Sequence, residues 1–175
     1  MDSVKPPYET VVERLNLLPR LAPFTPVVIG TPPLGLATAE SDIDIACTAP
    51  DLDRFSAILR EEFGQMAAFS LRRMDHFSPP AVVASFKSMG WEVELFSQTI
   101  PTECQRGVRH FRIEKRLLAL APPLLEAVMR LRRQGLKTEP AFAKVLSLSG
   151  DPYVALLELE GMGDARLQDM IDAAI

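Results

Sequence analysis

Two aspartates in the first third of the chain have the type and spacing of divalent-metal ligands. Asp42 and Asp44 alternate with apolar residues in the stretch Ser-Asp-Ile-Asp-Ile. If this stretch is a β-strand, both carboxylates project from one face, about 7 Å apart along the strand. Two negative charges beside a buried strand repel each other unless a cation neutralises them. The pair therefore predicts a metal site, and phosphoryl chemistry if a phosphate approaches it.

The segment before the aspartates has the features of a phosphate-binding turn. An apolar stretch, Val27–Ile29, ends in Gly30 and Thr31, where a phosphate can come close to the backbone. Pro32 and Pro33 follow, and they lack the backbone N–H groups that would donate to phosphate oxygens. Phosphate binding at this turn would therefore be weaker, or side chains would supply the missing hydrogen-bond donors.

A third carboxylate is expected from a later strand. Glu92 and Glu94 share one face of that strand, and Glu94 lies between Val93 and Leu95. This more buried setting makes Glu94 the first candidate and Glu92 the alternative. Three carboxylates on neighbouring strands can hold two Mg²⁺ ions that bridge a triphosphate and an attacking oxygen. The competing interpretation is a solvent-facing row of acids on an amphipathic sheet.

The hydrophobic pattern predicts the elements that would position these residues. The predicted strands are 27–30, 42–47, 66–71, 81–86 and 91–96, with a hairpin turn at 87–90. The predicted helices are 9–18, 51–63, 103–120, 122–134, 141–148, one that begins at Asp151-Pro152, and 164–174. The predicted fold is α+β: a small mixed sheet with helices over residues 1–100, then a helical subdomain over residues 101–175 packed on it.

Charge and composition limit the partners. The net charge of −4 argues against a general nucleic-acid binder and favours a small-molecule or protein acceptor. Residues 101–145 hold ten Lys and Arg against four Glu, so that part is basic and the remainder acidic. The sequence shows no membrane span or signal peptide, and its two cysteines lack CxxC spacing, which predicts a cytoplasmic protein. Nothing in the sequence indicates the oligomeric state.

These motifs together resemble the nucleotidyltransferase superfamily of DNA polymerase beta. The superfamily motif is an apolar residue, Gly, and Gly or Ser, followed after nine to thirteen residues by Asp-apolar-Asp/Glu-apolar. This chain has Ile-Gly-Thr at 29–31, Asp-Ile-Asp-Ile at 42–45, and Glu94 on a later strand. Thr31 stands where Ser or Gly is usual. The stretches 135–143 and 150–153 also resemble a small bacterial family of unknown function assigned to that fold.

The resemblance implies a Mg²⁺-dependent enzyme that transfers a nucleoside monophosphate from an NTP to a small-molecule or protein hydroxyl and releases pyrophosphate. By this resemblance, Asp42 and Asp44 would ligate two metal ions. Glu94 would complete the metal site or act as a general base. The residues expected to contact the nucleotide phosphates are Gly30, Thr31 and Ser41.

Two rival functions remain open from the sequence. The first is a catalytically silent binding or regulatory protein of the same fold, such as a toxin–antitoxin partner, which the Thr31-Pro32-Pro33 stretch favours. The second takes Asp42 and Asp44 as the metal motif of a nucleotide-sugar glycosyltransferase. That class is disfavoured because no early mononucleotide-binding βαβ unit is apparent.

Two basic side chains of the C-terminal half are candidate phosphate contacts. Arg109 would share a helical stripe with Gln105, Arg112 and Arg116, and this stripe would meet phosphate or simply face solvent. Lys137 would reach a triphosphate as a point charge, or would complement the end of the preceding helix.

Two histidines are expected to lie outside the chemistry. His110 and Glu114 are one turn apart on the apolar face of the predicted helix 103–120, where they would form a buried, hydrogen-bonded supporting pair. His76 lies in a polar loop with no partner at ligand spacing and is expected to be a surface histidine.

Overall fold

The computed structural model describes residues 5–175 of the chain. Among these residues the strands are β1 (Val27–Ile29), β2 (Ile43–Thr48), β3 (Ala67–Met74), β4 (Ala81–Ser88) and β5 (Trp91–Gln98). The α-helices are α1 (Tyr8–Arg14), α2 (Leu17–Leu21), α3 (Leu52–Phe63), α4 (Arg106–Leu120), α5 (Pro123–Arg133), α6 (Thr138–Val145), α7 (Pro152–Glu158) and α8 (Asp164–Asp172). Short 3₁₀ turns occupy Ala22–Phe24, Pro32–Leu34, Thr102–Cys104 and Leu159–Gly161.

The strands form one mixed sheet in the order β1-β2-β5-β4-β3. The neighbours β2 and β5 are parallel, while the other neighbouring pairs are antiparallel. A parallel pair needs a long crossover connection, and here that connection contains α3, β3 and β4. The predicted α+β class, a small mixed sheet followed by helices, is confirmed.

The hairpin between β4 and β5 follows the turn chemistry of the sequence. Met89 and Gly90 both have positive φ, 49° and 81°, as a type I′ turn requires. Ser88 then pairs with Trp91 across the turn. The predicted hairpin is confirmed, and its strands extend two residues beyond the predicted ends, to Ser88 and Gln98.

The chain divides into two compact units. The first comprises the residues up to Pro32 together with Ser41–Val108, and the second comprises Pro33–Glu40 together with Arg109–Ile175. In the first unit, α3 buries Phe55, Leu59 and Phe63, and the ring of Phe63 stacks on Phe86 of β4 with centroids 5.3 Å apart. This contact places the core of the first unit between α3 and one face of the sheet.

A side-chain cap marks the start of α3. The Asp51 carboxylate accepts hydrogen bonds from the backbone N–H groups of Asp53, at 3.0 Å, and Arg54, at 2.9 Å. These bonds satisfy donors that have no intrahelical partner in the first turn. The start of α3 is therefore set by its own local sequence.

The second unit is helical, and α6 packs against both α5 and α7. Its fully buried apolar side chains include Leu124, Val128, Phe142, Leu156, Leu167 and Ile171. Asp151 caps α7 by accepting from the N–H groups of Tyr153 and Val154 at 3.0 Å each. In the described part of the chain, no helix has both the length and the apolar character needed to cross a bilayer.

The start of α6 differs from the prediction. The helix begins at Thr138, three residues before the predicted start, and Pro140 lies within its first turn. The N–H groups of a first turn have no intrahelical partner, so proline removes no helical hydrogen bond there. Pro140 therefore belongs to the helix rather than to the loop before it.

The start of α4 also differs. The helix begins at Arg106, because Gln105 has an extended backbone with a ψ of 138°. The Gln105 side chain, 2% exposed, donates from Nε2 to the backbone oxygens of Cys47 at 2.7 Å and Ile100 at 3.3 Å. The prediction that Gln105 shares a helical stripe with Arg109 is wrong, since tertiary hydrogen bonds hold it outside the helix.

Candidate functional site

Asp44 and Glu94 lie opposite each other on neighbouring strands. Asp44 belongs to β2 and Glu94 to β5, and the two are register partners in this parallel pair. Their Cα atoms are therefore separated by about one strand spacing, about 4.8 Å. Both side chains are half-buried, and both line the same cavity of the first unit. The sheet thus brings together two carboxylates that are fifty positions apart in the sequence.

Gly30 closes one side of this carboxylate pair. It follows β1, whose Ile29 is the register partner of Asp44, and it has a positive φ of 81°. A Cβ added at Gly30 would overlap the Oδ2 atom of Asp44. Glycine therefore serves two needs here, since it adopts the left-handed turn and it leaves room for the Asp44 carboxylate.

Asp42 is the third acid near this pair. It immediately precedes β2, two positions before Asp44, and it is half-buried. Burial and the nearby charge of Asp42 raise the pKa of Glu94, while the Arg72 guanidinium partly opposes this rise. The negative potential around Glu94 is the kind that a bound cation would relieve.

Glu92, the alternative third ligand, has a different setting. Its side chain is exposed, and its register partner on β4 is Lys87. It adds a smaller upward effect on the pKa of Glu94 through its charge. Glu92 does not line the cavity that contains Asp44 and Glu94.

The donor chemistry of Asp42, Asp44 and Glu94 fits a divalent metal ion. Mg²⁺ prefers hard oxygen ligands, and these three side chains offer carboxylate oxygens. Within residues 5–175, no group of three or more His, Cys, Asp and Glu side chains is already arranged as a metal-binding cluster. The fit therefore rests on donor type and on the pairing of Asp44 with Glu94 on neighbouring strands.

Thr31 and Ser41 are linked by a hydrogen bond across the loop between β1 and β2. The Thr31 hydroxyl donates to the Ser41 hydroxyl oxygen at 2.9 Å. Lys5 donates from Nζ to the backbone oxygen of Ser41, also at 2.9 Å, and stands over the Trp91 ring at 4.4 Å from its centroid. The loop thus holds these hydroxyl groups in place next to the segment that carries Asp42.

The two basic candidates, Arg109 and Lys137, belong to the second unit. Arg109 forms a two-pronged ion pair with Glu160, with N–O distances of 3.1 and 2.5 Å, and this bond lowers the pKa of Glu160. Lys137 is exposed at the N-terminal end of α6. Their roles as phosphate contacts stay predictions.

His110 has partners other than the expected Glu114. Its Nε2 lies 2.8 Å from the backbone oxygen of Tyr153, and its Nδ1 lies 3.8 Å from the Glu139 carboxylate. Glu114 is buried, and its Oε1 has no hydrogen-bond partner among the described residues. His76 is exposed, as predicted, and it also lines the cavity that contains Asp44 and Glu94.

The cavity beside Asp44 and Glu94 includes residues that the sequence did not single out. Its volume is about 680 Å³, and aromatic side chains of β5 and of the β3–β4 connection, Phe96 and Phe77, form part of its wall. The signal that could have pointed to Phe96 is its spacing, since it follows Glu94 by two positions and shares its strand face. Phe77 carried no such signal, because a loop side chain is placed only by tertiary packing.

Solved structures share this fold at low sequence identity. The Cid1 poly(U) polymerase bound to MgGTP matches with a TM-score of 0.55 at 14% identity, over 85% of this chain and 47% of that chain. A cytoplasmic RNA terminal U-transferase matches with a TM-score of 0.53 at 15% identity, over 86% and 44%. The GLD-2/RNP-8 complex matches with a TM-score of 0.51 at 13% identity, over 89% and 58%.

These likenesses show a nucleotidyltransferase-like fold. At 13–15% identity they show the fold alone, and this chain spans about half the length of the structures that it matches. No curated protein matches the chain in sequence. The model of the family described as Domain of unknown function (DUF4269) matches residues 10–159.

Proposed function

This chain belongs to the family Domain of unknown function (DUF4269), and we propose that it is a divalent-metal-dependent nucleotidyltransferase. The reaction transfers a nucleoside monophosphate from an NTP to a hydroxyl group of an acceptor. The observation that carries this proposal is the pairing of Asp44 with Glu94 on parallel strands, beside a glycine that leaves room for the Asp44 carboxylate. The nucleotidyltransferase-like fold supports it.

Asp42, Asp44 and Glu94 would hold the metal ions, and Mg²⁺ is the expected metal. When bound, such ions neutralise the charge of a transferring phosphoryl group and lower the pKa of a bound hydroxyl. The Cid1 poly(U) polymerase has been solved with MgGTP and with Mg 3′-dATP, which supports Mg²⁺ and an NTP as ligands of this fold. Gly30, Thr31 and Ser41 would contact the nucleotide.

The protein residues have defined tasks in the proposed transfer. The acceptor oxygen attacks the α-phosphorus of the NTP, the bond from that phosphorus to the bridging oxygen breaks, and pyrophosphate leaves. The Glu94 carboxylate would complete the metal site that activates the acceptor hydroxyl, or would accept the hydroxyl proton as a general base. Gly30 leaves room for the Asp44 carboxylate by having no side chain.

The test compares two glutamates of the same strand face. Titration calorimetry with Mg²⁺ and each NTP should show metal-dependent nucleotide binding by the unmodified protein, which Asp42→Ala abolishes. Glu94→Gln should weaken binding by tenfold or more, about 1.4 kcal/mol. Glu92→Gln is the matched control and should leave binding within about twofold, because Glu92 is exposed and lies outside the cavity.

Two outcomes would contradict this assignment. Absence of binding at millimolar NTP with Mg²⁺ would remove the proposed function. Loss of binding in Glu92→Gln, with Glu94→Gln unaffected, would show that the third carboxylate is Glu92. Release of pyrophosphate in the presence of an acceptor is the measurement of transfer itself.

A binding protein without transfer activity is the second candidate. The observation that favours it is the segment after Gly30, where the Thr31 hydroxyl is already donated to Ser41 and Pro32–Leu34 form a 3₁₀ turn. Two prolines there supply no N–H groups for phosphate oxygens. Metal-dependent NTP binding without pyrophosphate release for any acceptor tested would select this candidate.

A further inference from the structure

The cavity next to the paired carboxylates is lined by these acids, by apolar side chains and by further polar residues. Three strands of the sheet contribute to it from one face, through Ile29, Asp44, Ala46, Glu94, Phe96 and Gln98. Side chains two positions apart on a strand are separated by about 7 Å, so the Phe96 ring lies about that far from Glu94. A molecule that fills this cavity would lay an apolar body on Phe96 and present a polar end to the carboxylates.

We propose that this cavity binds the acceptor of the transfer reaction, and that the acceptor is a small molecule with an apolar, ring-sized body and a hydroxyl group. This inference rests on the proposed nucleotidyltransferase function. The hydroxyl lies at the end with Asp44 and Glu94, and the apolar body lies against Phe96 and Phe77.

The size of the cavity fits a small molecule. Sites for cofactors and small ligands commonly measure about 300–1,000 Å³, and this cavity measures about 680 Å³. Such sites are mostly apolar with a few polar groups that fix orientation. Here the apolar wall includes Ile29, Phe96 and Val108, and the carboxylates are the orienting groups.

Phe77 packs against the cavity wall and still leaves much of its ring open to solvent. Its side chain is 40% exposed, and it meets Phe96 edge to face with ring centroids 5.9 Å apart. An exposed aromatic side chain that forms one wall of a cavity is positioned to gain buried area when a ligand enters. Phe77 therefore supplies contact to the acceptor rather than to the core.

The charges around the cavity disfavour a nucleic-acid acceptor. Among the described residues that line it, Arg106 is the sole Lys or Arg, whereas Asp44 and Glu94 are acidic. A nucleic-acid strand carries one phosphate charge per nucleotide, and proteins hold it with a positively charged groove. An uncharged or cationic acceptor with an apolar body fits these walls better than an RNA end.

Two cysteines provide a direct probe of the cavity. Cys104 is exposed and lines the cavity. Cys47 is buried, and burial raises the pKa of its thiol to about 12, so it resists alkylation. In the native protein, iodoacetamide should therefore modify Cys104 selectively, and a ligand in the cavity should slow that reaction.

The experiment measures protection of Cys104 by 2-(2-naphthyl)ethanol, a neutral two-ring molecule with one hydroxyl. Without metal or NTP, saturating naphthylethanol should slow alkylation of Cys104 at least fivefold, whereas glycerol should not. Phe77→Ala should weaken the protecting affinity by about tenfold, through lost apolar contact. Leu18→Ala is the control, because Leu18 is also an exposed apolar residue of the first unit but does not line the cavity.

Several results would overturn the inference. The first is that naphthylethanol does not protect Cys104 at any concentration up to its solubility limit. The second is that it protects Cys104 equally well in Phe77→Ala and in the unmodified protein. The third is that a ten-residue oligouridylate protects Cys104 and naphthylethanol does not. The last result would identify an RNA acceptor.

The proposed function is measured separately, by NTP binding in the presence of Mg²⁺. If Cys104 is protected but no NTP binds, the cavity is a ligand site and the nucleotidyltransferase proposal fails. If NTP binds but Cys104 is not protected, the acceptor inference fails alone. If both hold, mass spectrometry should detect naphthylethanol esterified to a nucleoside monophosphate.

Discussion

Glu94 and Glu114 are carboxyl groups whose pKa is raised by burial, yet their surroundings differ. Glu94 is half-buried beside a cavity, and the charge of Asp42 adds to the rise of its pKa. A cation that enters the cavity would offset this negative charge. Glu114 is 4% exposed, and its Oε1 has no hydrogen-bond partner in residues 5–175. Glu94 is therefore suited to be a metal ligand, whereas ionisation of Glu114 lowers the stability of the folded protein.

Replacing Glu114 should stabilise the protein at high pH only. Burial and the charge of Glu139 raise the pKa of folded Glu114 above its unfolded value, while Arg132 partly opposes the rise. As pH rises through the unfolded pKa, the unfolded state loses its proton first, so stability falls until the folded pKa is passed. Glu114→Gln removes this loss.

We expect Glu114→Gln to raise the free energy of unfolding by about 1–2 kcal/mol at pH 8 and to leave it nearly unchanged at pH 4. Urea unfolding at the two pH values is the measurement. Glu158→Gln, at an exposed position of the same unit, is the control and should change stability by less than about 0.5 kcal/mol at either pH. A gain for Glu114→Gln that is equal at both pH values would refute the argument.

The turn after β1 is the element that shapes the proposed metal site. Gly30 needs a left-handed backbone to leave the strand, and the space where a Cβ would lie is taken by the Asp44 carboxylate. Gly135, after α5, also has a positive φ of 93°, but a Cβ there would meet no atom within 4 Å. Both glycines have a positive φ, but only Gly30 has a side chain, that of Asp44, where its Cβ would lie.

This difference predicts the effects of alanine at the two positions. Gly135→Ala should cost about 1 kcal/mol of stability from backbone strain and leave metal binding unchanged. Gly30→Ala should cost more, and it should also weaken Mn²⁺ or Mg²⁺ binding about tenfold or further, because the Cβ displaces Asp44. Calorimetric titration with the metal measures the change in affinity, and urea unfolding measures the change in stability. Unchanged metal affinity in Gly30→Ala would argue against Asp44 as a ligand.

At the scale of the whole molecule, the sheet order decides which residues meet. Because β5 inserts between β2 and β4, Glu94 becomes the neighbour of Asp44 rather than lying at a sheet edge. On one face of β5, Val93 and Leu95 are buried in the core. On the other face, Glu94 and Phe96 line the cavity. The carboxylate pair is thus a product of the complete sheet.

Ligand binding at this pair should stabilise the folded chain as a whole. A ligand that binds only the folded state adds about 2.7 kcal/mol at one hundred times its dissociation constant. For a protein of this size, Mg²⁺ with the preferred NTP should raise Tm by about 5–10 °C. The measurement is a thermal melt with each of the four NTPs.

Asp44→Asn should remove that shift, while Asp53→Asn, at an exposed site on α3, should keep it. An identical shift in Asp44→Asn would place the nucleotide elsewhere in the protein.

Sequence alone was sufficient where neighbours along the chain decide the structure. The cap at Asp51, the type I′ turn at Met89-Gly90 and the alternation of Asp44 with buried residues each depend on a few adjacent residues. Turn and cap preferences come from local sterics and from backbone donors near a helix end, so they can be read directly. The α+β class follows from the same periodicities.

The tertiary structure decided what depends on residues far apart in the chain. It paired Asp44 with Glu94, drew Gln105 out of α4 to bond Cys47, and set Phe77 against Phe96. Strand order and loop packing arise from burying the whole core at once, and no local pattern encodes them. The sequence determined that carboxylates and a glycine turn were present, and the sheet determined which of them stand together.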